Sequence, residues 1–589
     1  MLSAAPLPDM KIWKMLLLYN DSFLFKDHSL VKSPKFFTTK DGREDPIAEW
    51  NAFIKIIKHQ SSLEELDPEE DIRCRFPRRY QFAQKYLTSD FLAEKHCPRL
   101  EKYLKYLEAY QVSLGFSSQY LGNPASSFGH HFLILHREQE STTLDMVLGF
   151  SANAKYSNYL EYAYKGIFGG YPGSFSLAPY FTKIQEYNNY ENRDLFEFPL
   201  NLNFAERQKL FLSLYELLAH ELDYYFLDVN CSSVLVMLLE SVLERKLMAL
   251  KQVFVTPIYV NQELNKIGLS STEFKIRYSQ HRRFLASYGR LGSKSKSMVA
   301  AMLEQKSLQD LTRLDSKESA KVLDALIEYI DYKDRVVGAA ESKNYATLRH
   351  AALIKRAAYP TLKPYEFKKQ GSVQDAHGLK LIEFGIEQEQ DDIANYLRIR
   401  PLMHEIGEYD WGLAKRTSLS FFDAALRFNP EARNREDRLA WSVNLFNLET
   451  YPGISRLNLP LSLSAKLGFG YEPIDSSLEQ DAGWFNLGAG YTLASESAYL
   501  SLLMDMRMSK SMENNEQSIS SGPSLQMGIK ESKLYSLYVR YKPHWDLVTG
   551  KVHLLSLATA HVFLSRHNHL AVRYAVDSKI WSFRFGHFF

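Results

Sequence analysis

Cysteine is scarce in this chain: Cys74, Cys97 and Cys231 are the only three in 589 residues. An odd count leaves at least one thiol unpaired. Long apolar runs are missing as well. No stretch approaches the ~18–20 residues that a membrane-crossing helix needs, and mean hydropathy is −0.30. Neither sign of charge dominates, with 71 Lys and Arg against 69 Asp and Glu and a net charge of +2. That balance gives no electrostatic case for a nucleic-acid partner. His, Cys and carboxylates nowhere cluster at metal-ligand spacing, and neither a phosphate loop nor a dinucleotide fingerprint occurs. The chain therefore calls for no metal and no cofactor.

What is abundant is apolar and aromatic. Apolar residues make up 45% of the chain, and 36 Tyr and 36 Phe bring the aromatics to 13%. The length allows two or three domains with a sizeable core. Aromatics at this level suit strands and interfacial girdles. The start, Met1-Leu2-Ser3-Ala4-Ala5-Pro6, resembles the small-residue end of a secretory signal without the charged and apolar regions that precede one. A truncated start and export by another route both fit.

The residues with the most chemistry are Asn230-Cys231. Asn230 is a good N-cap, and Ser232-Ser233-Val234-Leu235-Val236-Met237-Leu238-Leu239 continues as a buried helical face. A thiol at a helix N-terminus feels the positive end of the dipole, which predicts a lowered pKa. A proton partner is available about a hundred positions upstream. His130 lies in Phe128-Gly129-His130-His131-Phe132-Leu133-Ile134-Leu135, which reads as the start of an apolar strand. A Cys and a His far apart in sequence make a nucleophile–base pair. The bland reading of one buried Cys is inert core.

The surrounding words resemble a bacterial envelope family. They are Cys74-Arg75-Phe76-Pro77, Asn123-Pro124-Ala125-Ser126-Ser127-Phe128-Gly129-His130, Lys165-Gly166-Ile167-Phe168-Gly169-Gly170-Tyr171-Pro172-Gly173, Glu191-Asn192-Arg193-Asp194-Leu195-Phe196-Glu197-Phe198 and Tyr224-Tyr225-Phe226-Leu227-Asp228-Val229-Asn230-Cys231. In this order, over roughly residues 10 to 260, they are similar to the Lnb N-terminal periplasmic domain. That family resembles permuted papain-like folds such as NlpC/P60 relatives and lecithin:retinol acyltransferase, in which the His strand precedes the Cys helix. Its namesake activity is N-acylation of lipoproteins, with a phospholipid as acyl donor. The resemblance selects His130, directly after the Gly, as the base. His131 then points to the other face of the strand, as packing or as part of the substrate rim. An envelope compartment favours a Cys74–Cys97 disulfide that leaves Cys231 free; three unrelated reduced cysteines are the alternative.

The organisation that follows is α+β. A mostly helical region (1–115) precedes a papain-like thiol domain (116–260), a helical connector (261–377) and an antiparallel β-barrel of about twelve strands (378–589). In the connector, Leu323, Leu326, Ile327 and Ile330 recur at helical spacing. From about residue 378 the period is two. Leu461, Leu463, Ala465, Leu467, Phe469 and Tyr471 alternate with small or polar residues, as do Leu570, Val572, Tyr574 and Val576. The last strand places Trp581, Phe583, Phe585 and Phe589 on one face. Ten-residue segments, a polar face rich in Gly and Ser, and a terminal aromatic favour an outer-membrane barrel with those rings toward lipid. A soluble β-sandwich would show the same alternation.

The expected chemistry is acyl transfer through a thioester. His130 takes the thiol proton, Cys231 attacks an ester carbonyl, and an amine or water resolves the acyl-enzyme. The backbone N–H of Cys231 is placed to hold the oxyanion. Asn153 is the candidate orienting group, with Ser151 as the alternative. Tyr225 and Tyr171 are candidate substrate contacts beside His131, and Tyr224 lines the cleft or packs. Gly166, Gly169, Gly170 and Gly173 suit tight turns. Arg193 and Asp194 are expected to form a local ion pair. The partners implied are phospholipid, a lipoprotein acceptor and outer-membrane lipid. A barrel would hold the thiol domain near the inner leaflet, where both substrates lie. A cell-wall amidase or peptidase of NlpC/P60 type and a non-enzymatic scaffold or pore are the competing readings.

Overall fold

A computed structural model describes the chain apart from residues 1–6, 21–26, 62, 64–65, 88–94, 120–127, 139–140, 155–157, 249–253, 337–338, 368–370, 391, 432–437, 471–481, 512–516 and 532. Met1–Pro6 and the motif residues Asn123–Ser127 thus lie outside the described residues. The chain divides into two compact units, Met1–Phe367 and Lys368–Phe589.

The first unit is built on an antiparallel sheet. Its strands are β1 (Gln111–Ser117), β2 (His130–His136), β3 (Met146–Ala152), β4 (Tyr171–Pro179), β5 (Leu195–Pro199), β6 (Glu221–Tyr224) and β7 (Lys275–Arg277). They lie in the order β6-β4-β3-β2-β1-β5-β7. The centre is apolar, so β2 alternates between two buried layers rather than one buried and one wet face. Phe132 and Ile134 pack with Val147, Tyr180, Tyr187 and Leu195. The edge strand β7 lies beyond residue 260, in the stretch that the sequence reads as a helical connector. Three residues are too short to show a period, and their pairing with Leu195, Phe196 and Glu197 of β5 reveals them as strand.

Helices precede and follow the sheet. Pro46–Gln60 starts on Asp45, whose carboxylate accepts from the N–H groups of Ile47 and Ala48. Ser316–Val336 buries Leu323, Leu326 and Ile330 as its spacing predicts. Cys74 and Cys97 form a disulfide with their Cα atoms 5.4 Å apart, and Cys231 is the free cysteine. The bridge closes a loop of 23 positions. Loop-closure entropy on that scale is worth about 3 kcal/mol. Reduction, or Cys74→Ser with Cys97→Ser, should lower the unfolding midpoint of this unit accordingly. An unchanged melt in dithiothreitol would count against the bridge.

The second unit is a β-barrel. Its strands are β8 (Leu381–Glu389), β9 (Asp392–Arg400), β10 (Leu402–His404), β11 (Thr417–Phe428), β12 (Leu439–Thr450), β13 (Ser462–Gly470) and β14 (Ala482–Ala494). Then follow β15 (Ala498–Ser511), β16 (Gln517–Glu531), β17 (Tyr535–Asp546), β18 (Val552–Phe563), β19 (Asn568–Ala575) and β20 (Ile580–Phe588). From β11 onward each strand pairs with the next. β20 returns to β8, β8 pairs with β9, and β9 pairs with β11. β10 is a three-residue extension beside β11, so the ring is a closed barrel of 12 strands.

The large residues face outward. Trp581 and Phe583 are 45% and 46% exposed, and Leu502 and Met504 on β15 are more exposed still. Phe585 shares their face and meets Phe384 of β8 at 5.4 Å. The polar residues face inward: Ser462, Thr492 and Ser501 form a buried hydroxyl chain with links of 2.7 Å. A sandwich would bury the apolar face instead. An exposed apolar belt around a polar lumen is what lipid demands, because no edge or backbone polar group is left unpaired in the bilayer.

Candidate active site

Cys231 opens the helix Cys231–Leu243. Asn230 holds that start by accepting from the N–H groups of Ser232 at 2.9 Å and Ser233 at 3.3 Å. Its own N–H donates to Ser233 Oγ at 2.8 Å, completing a reciprocal cap. The Asn230 amide also donates to the carbonyls of Val255 and Phe226, which ties the cap to two loops. The cap leaves the N–H of Cys231 itself free of Asn230. That N–H faces the hydroxyl of Tyr224, which is buried. Burial, and then the nearness of Cys231, hold the Tyr224 phenol well above its ordinary pKa.

Across the junction, β2 begins at His130. Register pairs Ser117 with His130 and Phe116 with His131. Gly129 has φ +94°, and a Cβ there would lie 2.4 Å from the Phe116 ring. Glycine is thus required for the chain to enter β2 at this angle. The two imidazoles point to opposite faces. His130 lies on the Phe132 side, with its ring 5.8 Å from Tyr187. His131 is fully buried, packs on Phe116 at 5.6 Å, and its Nε2 meets the Asn261 amide at 2.7 Å.

Arg193 closes this end of the sheet. Its guanidinium lies over Tyr187 and donates to the carbonyls of Ser118 and Ser117 at 2.6 and 3.1 Å. The expected ion pair with Asp194 does not form. Arg193 pairs with Glu191 at 2.7 Å, and Asp194 pairs with Arg282 at 2.6 Å. Adjacent residues on extended chain point apart, so each finds its own partner.

The electrostatics tie Cys231, His130, Tyr187 and Arg193 into one neighbourhood. The positive charge of Arg193 is felt by Cys231 and by His130, and Tyr187 feels Cys231. The thiol does not have the lowered pKa that its helix position predicts. Burial raises it, and the N–H of His131, the Ser232 hydroxyl and Arg193 only oppose that rise. Desolvation of a thiolate outweighs the helix terminus here. His130 lies well below its ordinary value through burial and then the charges of Arg193 and Lys183. His131 is pushed down to about 3 by burial alone. At rest the thiol and both imidazoles are therefore neutral. Sγ has Ser232 Oγ, at 3.8 Å, as its side-chain hydrogen-bond partner, and it makes no hydrogen bond to either imidazole among the described residues.

Because only the thiolate is alkylated, and the pKa of Cys231 is raised, less thiolate exists at pH 8 than for an ordinary cysteine. Iodoacetamide labelling of Cys231 should climb with pH to a midpoint above the ordinary thiol value. A midpoint near 7 would show that the helix terminus wins after all.

The remaining predicted residues are placed as follows. Asn153 is exposed just past β3, and its backbone N–H donates to the Pro172 carbonyl at 2.9 Å. Neither it nor the exposed Ser151 is brought to an imidazole among the described residues. Tyr171 is buried against Tyr162 and Phe226. Tyr225 fills the space where a Gly169 Cβ would sit, 2.5 Å away, so Gly169 at φ +92° admits its ring. Sequence reasoning missed Asn261, 130 positions from His131 and on the helix Pro257–Lys266. Its one signal is an Asn among apolar residues of a helix. Tyr187, in the π-helical turn Ile184–Tyr190, was missed as well.

Residues 99–266 match the model of the Lnb N-terminal periplasmic domain. Residues 5–86 and 374–580 match two domains of unknown function, DUF7843 and DUF7840. No curated protein matches the chain. Among solved structures, the chain is similar to the KdgM porin, at 12% identity and a TM-score of 0.23, over 36% of this chain and 99% of the porin. It is also similar to an outer membrane channel from Pseudomonas putida F1, at 13% identity and a TM-score of 0.23, over 39% of this chain and 100% of the channel. The closed barrel with its apolar belt and the periplasmic domain together make this an outer-membrane protein with a periplasmic N-terminal region.

Proposed function

We propose that the periplasmic domain is a thiol-dependent acyltransferase or lipase that takes an acyl chain from phospholipid through a thioester on Cys231. One observation carries this reading. Cys231 opens a capped helix whose first N–H meets only the Tyr224 hydroxyl, and the charge of Arg193 reaches both Cys231 and His130. His130 accepts the S–H proton as Sγ attacks the ester carbonyl carbon. The N–H of Cys231 holds the resulting oxyanion. The C–O bond breaks, and His130 returns its proton to the leaving lysophospholipid oxygen. An amine, such as a lipoprotein N-terminus, or water then attacks the thioester and restores the thiol. A neutral thiol and a neutral imidazole suit this concerted transfer, because no buried ion pair must be kept at rest. Hydrogen bonds of this kind are commonly long in the free enzyme and tighten with substrate.

The test is mass spectrometry of the full chain in detergent after incubation with phosphatidylethanolamine vesicles. An acyl mass on the Cys231 peptide, removed by hydroxylamine, is the expected result. No adduct and no released fatty acid over long incubation would sink the reading. Cleavage of peptidoglycan fragments instead would move the site to cell-wall hydrolysis.

A further inference from the structure

The segment between β10 and β11 runs inside the barrel. Ile406 N–H donates to Ser418 Oγ on β11 at 2.8 Å. The next residue, Gly407, accepts from Ser536 Oγ on β17. A Cβ on Gly407 would stand 3.4 Å from the His561 ring on β18. Lys530 on β16 donates to the carbonyl of Glu408 and pairs with Asp410 at 3.2 Å. Ser418, Ser536 and His561 are all buried on the inward face of their strands.

Ring order makes these contacts decisive. Around the barrel run β8, β9, β11, β12 and onward to β20, so β11 and β17 face each other across the lumen. A stretch of two residues bonded to both walls crosses the lumen. Arg400 fixes the crossing with a bidentate pair to Glu408, at 2.8 and 2.7 Å, and Arg398 holds Glu405 at 2.8 Å. A second bridge crosses nearby: Arg540 of β17 reaches Glu449 of β12. Ser418 Oγ in turn donates to Glu449 at 3.2 Å, which joins the two crossings.

We propose that residues 405–410 are a built-in plug and that the barrel is a sealed membrane anchor, not a pore. An ion passing through would have to part Arg400 from Glu408 and Arg540 from Glu449, and a buried charge stripped of its partner is strongly disfavoured. A barrel of 12 strands lies between the roughly eight whose interior side chains alone fill and the roughly sixteen or more that leave an aqueous channel, so a chain segment across it decides whether it conducts.

Planar-bilayer recording of the purified full chain in potassium chloride tests this, with heat-dependent gel migration as the check on folded insertion. Inserted wild type should give no conductance steps. Glu449→Ala with Arg540→Ala, and separately deletion of 405–410, should give steps in folded protein. Steps from the wild type would overturn the proposal, whatever the variants do. Folded variants that both stay silent would overturn the plug as the seal. If neither variant folds, the wild-type recording decides by itself, and a Gly407→Cys, Ser536→Cys pair that crosslinks places the segment in the lumen.

Discussion

Cys231→Ser is expected to form no acyl adduct and to lose at least about a thousandfold in turnover, since a nucleophile knockout removes the reacting atom. A hydroxyl there lacks a base strong enough to ionise it. His130→Ala should cost about 10²–10⁴-fold, the usual range for a general base. His131→Ala should behave differently. It removes one of the two partners of the buried Asn261 amide nitrogen, which keeps the Pro257 carbonyl at 3.2 Å; a buried N–H left unsatisfied costs about 1–3 kcal/mol of stability, while adduct formation persists. Labelled phospholipid turnover and thermal melts of the same three variants separate the outcomes. An inert His131→Ala enzyme that still folds, beside an active His130→Ala, would transfer the base to the imidazole that Asn261 holds. Full activity in both would leave the domain a scaffold.

The second large effect is structural. Arg79 is fully buried, stacks on Phe76 at 3.8 Å, and donates to Glu216 at 2.8 Å, with Glu49 at 3.4 Å. Glu216 also accepts from the backbone N–H groups of Arg78 and Arg79, at 2.6 and 3.0 Å. Arg79→Ala leaves two carboxylates in the core without their cation. Breaking such a network costs about 3–5 kcal/mol, enough to consume a large share of a domain's net stability. Calorimetry of the full chain in detergent should show the transition of the first unit move down sharply while the barrel transition stays. A shift equivalent to less than about 1 kcal/mol would place the network in the class of idle ion pairs.

Local signals in this chain were legible where one residue type does one local job. Asn230 before Cys231 and Ser233 spells a helix start, and the structure has it with its reciprocal cap. Gly129 before a strand spells a backbone that only glycine adopts. Period two from residue 378 spells strands, and their number is read from the turns between them. The free thiol follows from three cysteines once two are bridged.

Other features depend on what comes near from far away. Alternation defines two faces but not which one is inside. Only the return of β20 to β8 turns the apolar face outward and makes the polar face a lumen. The thiol's pKa is set by how deeply Cys231 is buried, which no helix cap reveals. Arg193 and Asp194 are neighbours in sequence and part company in space, because one answers to the end of β1 and the other to the helix that starts after Ser279. Asn261 reaches His131, and Gly407 reaches Ser536, across 130 and 129 positions. The sequence by itself determined elements, periods and the chemistry on offer, since those depend on neighbours along the chain. The tertiary structure decided which face met lipid, which groups lost water and which charges met, since each of these depends on distance through space.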